Sequence, residues 1–166
     1  VYGLTCHIGL VLIVLVGVLA WQTLPVIAVQ ILWINLITDG LPPMALSLEA
    51  PDRGLMKQMP AKAKEGLVSK LMIIASLGLG ILIAVQSLGV LYWALGNGTP
   101  LPKIQTLIFT LVVVSLMFNA FNWRSERYSV FSLGIFTNKF LIYAILSTII
   151  LQLAAIYVPF MRMAFR

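Results

Sequence analysis

Long runs of apolar residues, separated by short polar or basic gaps, set the pattern of this chain. Five of these runs approach the length at which a helix crosses a bilayer, about 20 residues. They cover residues 4–20, 24–48, 71–95, 104–121 and 140–157. No stretch alternates apolar and polar residues with the period of two that marks a half-buried strand. In lipid a helix also satisfies each backbone N–H and C=O within its own segment, which an open strand does not. The pattern predicts an all-α integral membrane fold, a bundle of about five transmembrane helices.

The gaps carry the topology. Trp21, Gln22 and Thr23 make a tight, uncharged turn. The 49–70 gap is long and holds Arg53, Lys57, Lys62, Lys64 and Lys70, and the 122–139 gap holds Arg124, Arg127 and Lys139. The opposite side carries only Lys103, Arg162 and Arg166, so Lys and Arg divide eight to three. Cytoplasmic loops are enriched in Lys and Arg, which places the 49–70 and 122–139 gaps in the cytoplasm. Trp21, Tyr92, Trp93 and Tyr157 fall near span ends, where amphipathic rings settle at the membrane–water interface.

Composition agrees. The chain is 61% hydrophobic and 10% charged, with a mean hydropathy of +1.04, against roughly 25% charged residues in soluble domains. A surface that poor in charge faces lipid. The net charge of +6 raises nucleic acid as a partner, but the basic residues sit in the gaps and form no patch interleaved with aromatics, so none is expected. Cys6, the one cysteine, excludes an internal disulfide and a multi-cysteine metal site. The first residues, Val-Tyr-Gly, have neither a Met nor a basic n-region. They do not make a signal peptide and read as the middle of a longer chain.

One run is chemically unlike the others. Glu49, Asp52, Glu65 and Glu126 fall in gaps, whereas Asp39 lies inside an apolar span. A charge at that depth costs about 2.5–3.5 kcal/mol on insertion scales, so such residues ordinarily face a polar cavity or a partner. The bland alternative is a structural Asp held by a neighbouring helix. Asn35, Thr38 and Asp39 stand at i, i+3 and i+4, which puts all three on one helix face. Amide, hydroxyl and carboxylate oxygens are hard donors, suited to Ca²⁺, Mn²⁺ or Mg²⁺. Gly40, Leu41, Pro42 and Pro43 follow. Glycine is a weak helix former and proline has no N–H, so the helix is expected to unwind near residues 39–43. Interrupted membrane helices recur at ion sites because freed carbonyls can coordinate. The trio supplies about four of the six to eight oxygens that Ca²⁺ takes, so further ligands must come from elsewhere.

Other polar residues carry less. His7 reads as a packed or hydrogen-bonded residue, and Gln86, Ser115, Asn119, Asn122 and Gln152 as contacts between helices. Ser76 and Gly80 form a small-xxx-small pair suited to close helix packing. Asn97-Gly98-Thr99 fits a glycosylation sequon, but Pro100 follows and the match is read as chance.

At Asn35–Pro43 the chain resembles the sixth transmembrane helix of P-type calcium pumps. The matching run extends from Leu24-Pro25 through Val29–Pro43 to Ala45–Glu49, Pro51 and Asp52. Met59-Pro60-Ala61-Lys62 fits the basic loop that follows in that family. Phe118–Asn122 with Arg124-Ser125, then Asn138, then Leu151–Pro159, resembles helices eight and nine of the secretory-pathway and bacterial calcium/manganese pumps. The resemblance implies that the five spans are helices five to nine of ten, with the other helices and the cytoplasmic catalytic domains absent here. It implies that Asn35 and Asp39 are ligands of a shared ion site, and that Thr38 matches a ligand of the second site in two-ion pumps. Where two-ion pumps place further ligands, this chain has His7, Leu10 and Leu116. That implies one ion site.

The expected function is therefore the ion-binding membrane half of an ATP-driven divalent cation pump, with Ca²⁺ first and Mn²⁺ second as the transported ion. Mg²⁺ and ATP would act only through absent domains, since the sequence holds no phosphate loop or nucleophile motif. The expected partners are the remaining helices and cytoplasmic domains of the same pump, and the bilayer, in a prokaryotic plasma membrane or a secretory-pathway membrane. Two other classes remain open. A free-standing membrane scaffold or regulatory protein would have its own start and stop at these ends. A secondary cation transporter would be expected to show an inverted repeat, and none is visible.

Overall fold

The computed structural model describes residues 2–38, 40–48, 69–124 and 137–165. All secondary structure among them is helical: α1 (Tyr2–Trp21), α2 (Ala28–Thr38), α3 (Leu41–Ser47), α4 (Lys70–Gly96), α5 (Leu101–Asn122), α6 (Lys139–Tyr157) and α7 (Pro159–Ala164). Among the described residues, α1, α4, α5 and α6 are long and apolar enough to cross a membrane. The run expected as one span over 24–48 is instead two short helices, α2 and α3, with Gly40 between them as the cap of α3.

The break differs in detail from the sequence expectation. Pro42 and Pro43 do not lie in unwound chain. Pro42 is buried at the start of α3, whose first turn holds both rings. The first turn of a helix has no partner for its N–H groups, and proline's fixed φ suits that position. The prolines thus start a helix, and they offer no N–H to the carbonyls of residues 38 and 39, four positions earlier. Gly40 is required by a close approach: a Cβ there would lie 2.7 Å from the Leu36 carbonyl oxygen.

The bundle has two distinct ends. At one, Asn138 donates from Nδ2 to the Ala45 carbonyl at 3.2 Å and accepts the Leu141 N–H at 2.9 Å, tying α3 to the start of α6. Arg124 donates to Thr137 Oγ1 at 2.7 Å at the same end, where Lys70 and Lys139 begin α4 and α6. At the other end α1 closes on a left-handed Gln22, with φ of 49°, and the Thr23 N–H returns to the Gly17 carbonyl. This is the helix-ending geometry that satisfies last-turn carbonyls. Trp21 meets Tyr92 there with ring centroids 6.4 Å apart, and Tyr92, Trp93 and Tyr157 are exposed. The two ends match the Lys/Arg asymmetry of the sequence.

The core is apolar and small-residue rich. Cys6, Leu10, Ile13, Ile34, Ile83, Leu91, Ile108, Val112 and Leu116 form one cluster joining α1, α2, α4 and α5. Tyr2, Ala45, Met117, Ala120, Leu141 and Ala144 form a second, joining α1, α3, α5 and α6. Gly80 lets α4 close on α1: an added Cβ would stand 2.8 Å from Ile8 Cγ2 and 3.1 Å from the Thr5 carbonyl oxygen. The small pair Ser76 and Gly80, both buried, is thus a packing device between α4 and α1. Large apolar side chains also point outward, among them Val11, Leu32, Leu36, Ile74, Leu82, Phe118 and Ile150. A helix bundle that is apolar inside and out has the surface of a membrane protein.

Candidate functional site

Asn35 lies in the last turn of α2, one turn before the break. Its Oδ1 is buried and has no hydrogen-bond partner. Thr38 is the final residue of α2. Its side chain and the whole of Asp39 lie outside the described residues, as do the other four acidic residues. Of the expected trio, then, one member has a described side chain, and it is an oxygen left unpaired next to interrupted backbone. Among the described residues no three His, Cys, Asp or Glu side chains come together.

The base of α2 is held firmly. Gln30 is fully buried. Its Oε1 accepts the Ile27 N–H at 3.2 Å, and its Nε2 donates to the Phe165 carbonyl at 2.9 Å. Trp33 donates from Nε1 to Gln152 Oε1 at 3.2 Å. The Phe165 ring stands edge-on to Trp33 and stacks on Phe109. These contacts fix α2 from the side of α5, α6 and the chain after α7. Nothing in sequence periodicity singles out Gln30 or Trp33, because Phe165 and Gln152, the partners that hold them, are 135 and 119 residues away respectively.

The residues expected to matter less divide. His7 is exposed, with Nδ1 2.6 Å from the Gly3 carbonyl oxygen, as expected of a hydrogen-bonded rather than an ion-binding His. Gln86 donates to Ser115 between α4 and α5, and Gln152 takes Trp33, so both are inter-helix contacts. Asn119 is not: it is 3% exposed, and neither Oδ1 nor Nδ2 has a partner. The sequence signal for it was available, an Asn beside an Ala inside an apolar run, but helix pairing explained it equally well. Leu10 and Leu116 are buried together in the first core cluster with Ile34. A groove of about 630 Å³ lined by Pro100, Lys103, Phe109, Ile156 and Phe165 lies at the end of the bundle away from the break and takes no part in this site.

Residues 23–166 match the family described as the C-terminus of cation-transporting ATPases. The calcium-transporting ATPase of Bacillus subtilis (strain 168) is 38% identical over 159 residues, 95% of this chain and 18% of that protein. Calcium-transporting ATPase 1 of Bacillus cereus is 30% identical, over 94% of this chain and 19% of its own length. The human calcium-transporting ATPase type 2C member 1 is 36% identical over 142 residues, 86% of this chain and 16% of its length. The chain spans less than a fifth of these relatives. The apolar helices make it a multi-pass integral membrane segment, and the family match identifies the segment: the chain belongs to the C-terminal region of the cation-transporting ATPases.

Proposed function

We propose that this chain is the ion-binding membrane half of an ATP-driven pump for one divalent cation, with Ca²⁺ the first choice and Mn²⁺ the second. The observation that carries the reading is the buried, unpaired Oδ1 of Asn35 at the end of α2. An acceptor buried without a partner costs about 1–3 kcal/mol, and a bound ion at Asn35 would remove that cost. Asn35, Thr38 and Asp39 would offer hard oxygens to the ion, and Pro42 and Pro43, which have no N–H, would not compete for nearby backbone carbonyls. Calcium transport by the relatives, in their printed names, supports Ca²⁺ as the cargo.

In the whole pump, ATP with Mg²⁺ would phosphorylate domains outside this chain. The resulting change of state would alter access and affinity at Asn35 and Asp39, because a ligand shifts a conformational equilibrium only through different affinity for its states. The 49–70 and 122–139 gaps would face the cytoplasm and those domains. The membrane is a prokaryotic plasma membrane or a secretory-pathway membrane.

The test is Asp39→Asn in the full-length protein. It should abolish ion-dependent phosphorylation from ATP while leaving expression and thermal stability intact, since it removes the only intramembrane carboxylate this half supplies. Normal cation-dependent phosphoenzyme in that variant would refute the assignment.

A further inference from the structure

Helix α2 has 11 residues and stops at the break, so hydrogen bonds and rings at its other end set where it stands. That end is built around Gln30, which is fully buried. Gln30 is the third residue of α2. Its Oε1 reaches back to accept the Ile27 N–H at 3.2 Å, which satisfies one of the donors that a helix start leaves unpaired. Its Nε2 donates to the Phe165 carbonyl at 2.9 Å. Just before α2, Gln105 of α5 donates from Nε2 to the Leu24 carbonyl at 2.9 Å.

Phe165 comes from the far end of the chain, just after α7, and holds α2 with its ring as well as its backbone. The ring stands edge-on to Trp33, with centroids 5.0 Å apart and planes at 72°. Its face stacks on Phe109 of α5, with centroids 5.7 Å apart and planes at 10°. Both are favourable arrangements for aromatic pairs. Phe109 is buried in the first core cluster, so Phe165 joins α2 to a fixed part of the bundle. Trp33 and Gln30 precede Asn35 by two and five residues, about 3 and 7.5 Å along a helix axis. A helix this short carries a displacement of its base to its end, and a binding group works only when held within about 0.5 Å.

We infer that Phe165 is a positioning residue for the ion site: by holding Gln30 and Trp33 it keeps α2, and with it Asn35, in the ion-binding position. This rests on the reading of Asn35 as an ion ligand. Phe165 acts through α2 and gives the ion nothing itself. When its ring is lost, α2 spends less time in the binding position, and the apparent affinity falls by that fraction. The number of ions is unaffected, because no ligand is removed.

The test is equilibrium binding of radioactive Ca²⁺ to the full-length pump in membranes, with Phe165→Leu, Phe165→Tyr, Asn35→Ala and, as a control on α7, Phe160→Leu. Phe160 is 81% exposed. Phe165→Leu keeps the backbone carbonyl and removes both ring pairs. It should weaken Ca²⁺ binding about five-fold, the scale of one lost aromatic pair, with maximal binding unchanged. Phe165→Tyr keeps the ring and should restore wild-type affinity, and Phe160→Leu should leave affinity unchanged. A residue that only stabilised the fold would lower maximal binding instead, and that outcome in Phe165→Leu overturns the inference, as does an equal loss of affinity in Phe160→Leu. Wild-type affinity in Phe165→Leu, with binding lost in Asn35→Ala, also overturns it and spares the reading it rests on. If Asn35→Ala binds normally, that reading falls and the inference with it. If Phe165→Leu does not fold, Phe109→Leu decides, since it removes the stacking partner and leaves every side chain of α2 in place: wild-type affinity there overturns the inference.

Discussion

Trp33 and Gln152 meet across 119 residues of sequence, the indole N–H donating to the amide oxygen at 3.2 Å two residues before Asn35. The pair ties α2 to α6 on the side where Gln30 and Phe165 also hold it. One end of α2 is thus anchored by hydrogen bonds and rings, while its other end stops at interrupted backbone. In the proposed reading, this fixed base would support the terminus at which the ion would bind.

The first prediction concerns that pair. Trp33→Phe leaves Gln152 Oε1 buried without a donor, and Gln152→Met leaves the Trp33 N–H without an acceptor. Each should lower stability by about 0.5–1.5 kcal/mol, and a double-mutant cycle should return a coupling near 0.6 kcal/mol, the usual size of a hydrogen bond between membrane helices. Thermal unfolding in detergent measures it. Additive single effects would mean that the hydrogen bond contributes nothing to stability.

The second concerns helix contact. Gly80→Ala places a methyl 2.8 Å from Ile8 Cγ2 and 3.1 Å from a backbone oxygen of α1, and a backbone atom cannot move aside cheaply. Overpacking of this kind costs about 1–3 kcal/mol. Gly78, two residues earlier, has nothing within 4 Å of such a methyl, so Gly78→Ala should be neutral or slightly stabilising through helix propensity. A thermal midpoint lowered for Gly80→Ala and not for Gly78→Ala is the expected result.

The fold was largely legible because each span writes itself as an apolar run, and α1, α4, α5 and α6 follow those runs closely. The 24–48 run reads as one span by length, yet folds as two helices, because prolines that interrupt one helix also start the next. Within the site, Asn35 stood out through its spacing to Asp39, which needs only local sequence. That Asn119 lacks a partner is visible only in the fold, because partners in this bundle come from distant segments. Gln30 and Trp33 were hidden for the same reason.

Topology offers the third prediction. After replacement of the buried Cys6, single cysteines at Lys62 and Ser125, which lie outside the described residues, should react with an impermeant thiol reagent only from the cytoplasmic side. One at Gly98, in the turn between α4 and α5, should react only from the other. The reason is the eight-to-three division of Lys and Arg between the two ends. Labelling of Lys62 and Gly98 positions from the same side would break the arrangement of spans.

The last prediction is the number of ions. A second divalent cation beside the first would need oxygen ligands from α1 and α5 at the positions of Leu10 and Leu116. Both are buried, 6% and 0% exposed, in one apolar cluster with Ile34. Methyl groups coordinate nothing, and a bare divalent charge among them would be prohibitively desolvated. His7 offers a nitrogen, but it is exposed in this chain and close to the Gly3 carbonyl, and hard Ca²⁺ prefers oxygen. The full-length pump should therefore bind one Ca²⁺ per phosphoenzyme formed, with a Hill coefficient for activation of about one, because cooperativity needs at least two coupled sites. Radioactive calcium binding, normalised to active sites, gives the number directly. Two ions bound cooperatively would require oxygens from helices outside this chain to line Leu10 and Leu116, and would refute the one-site reading.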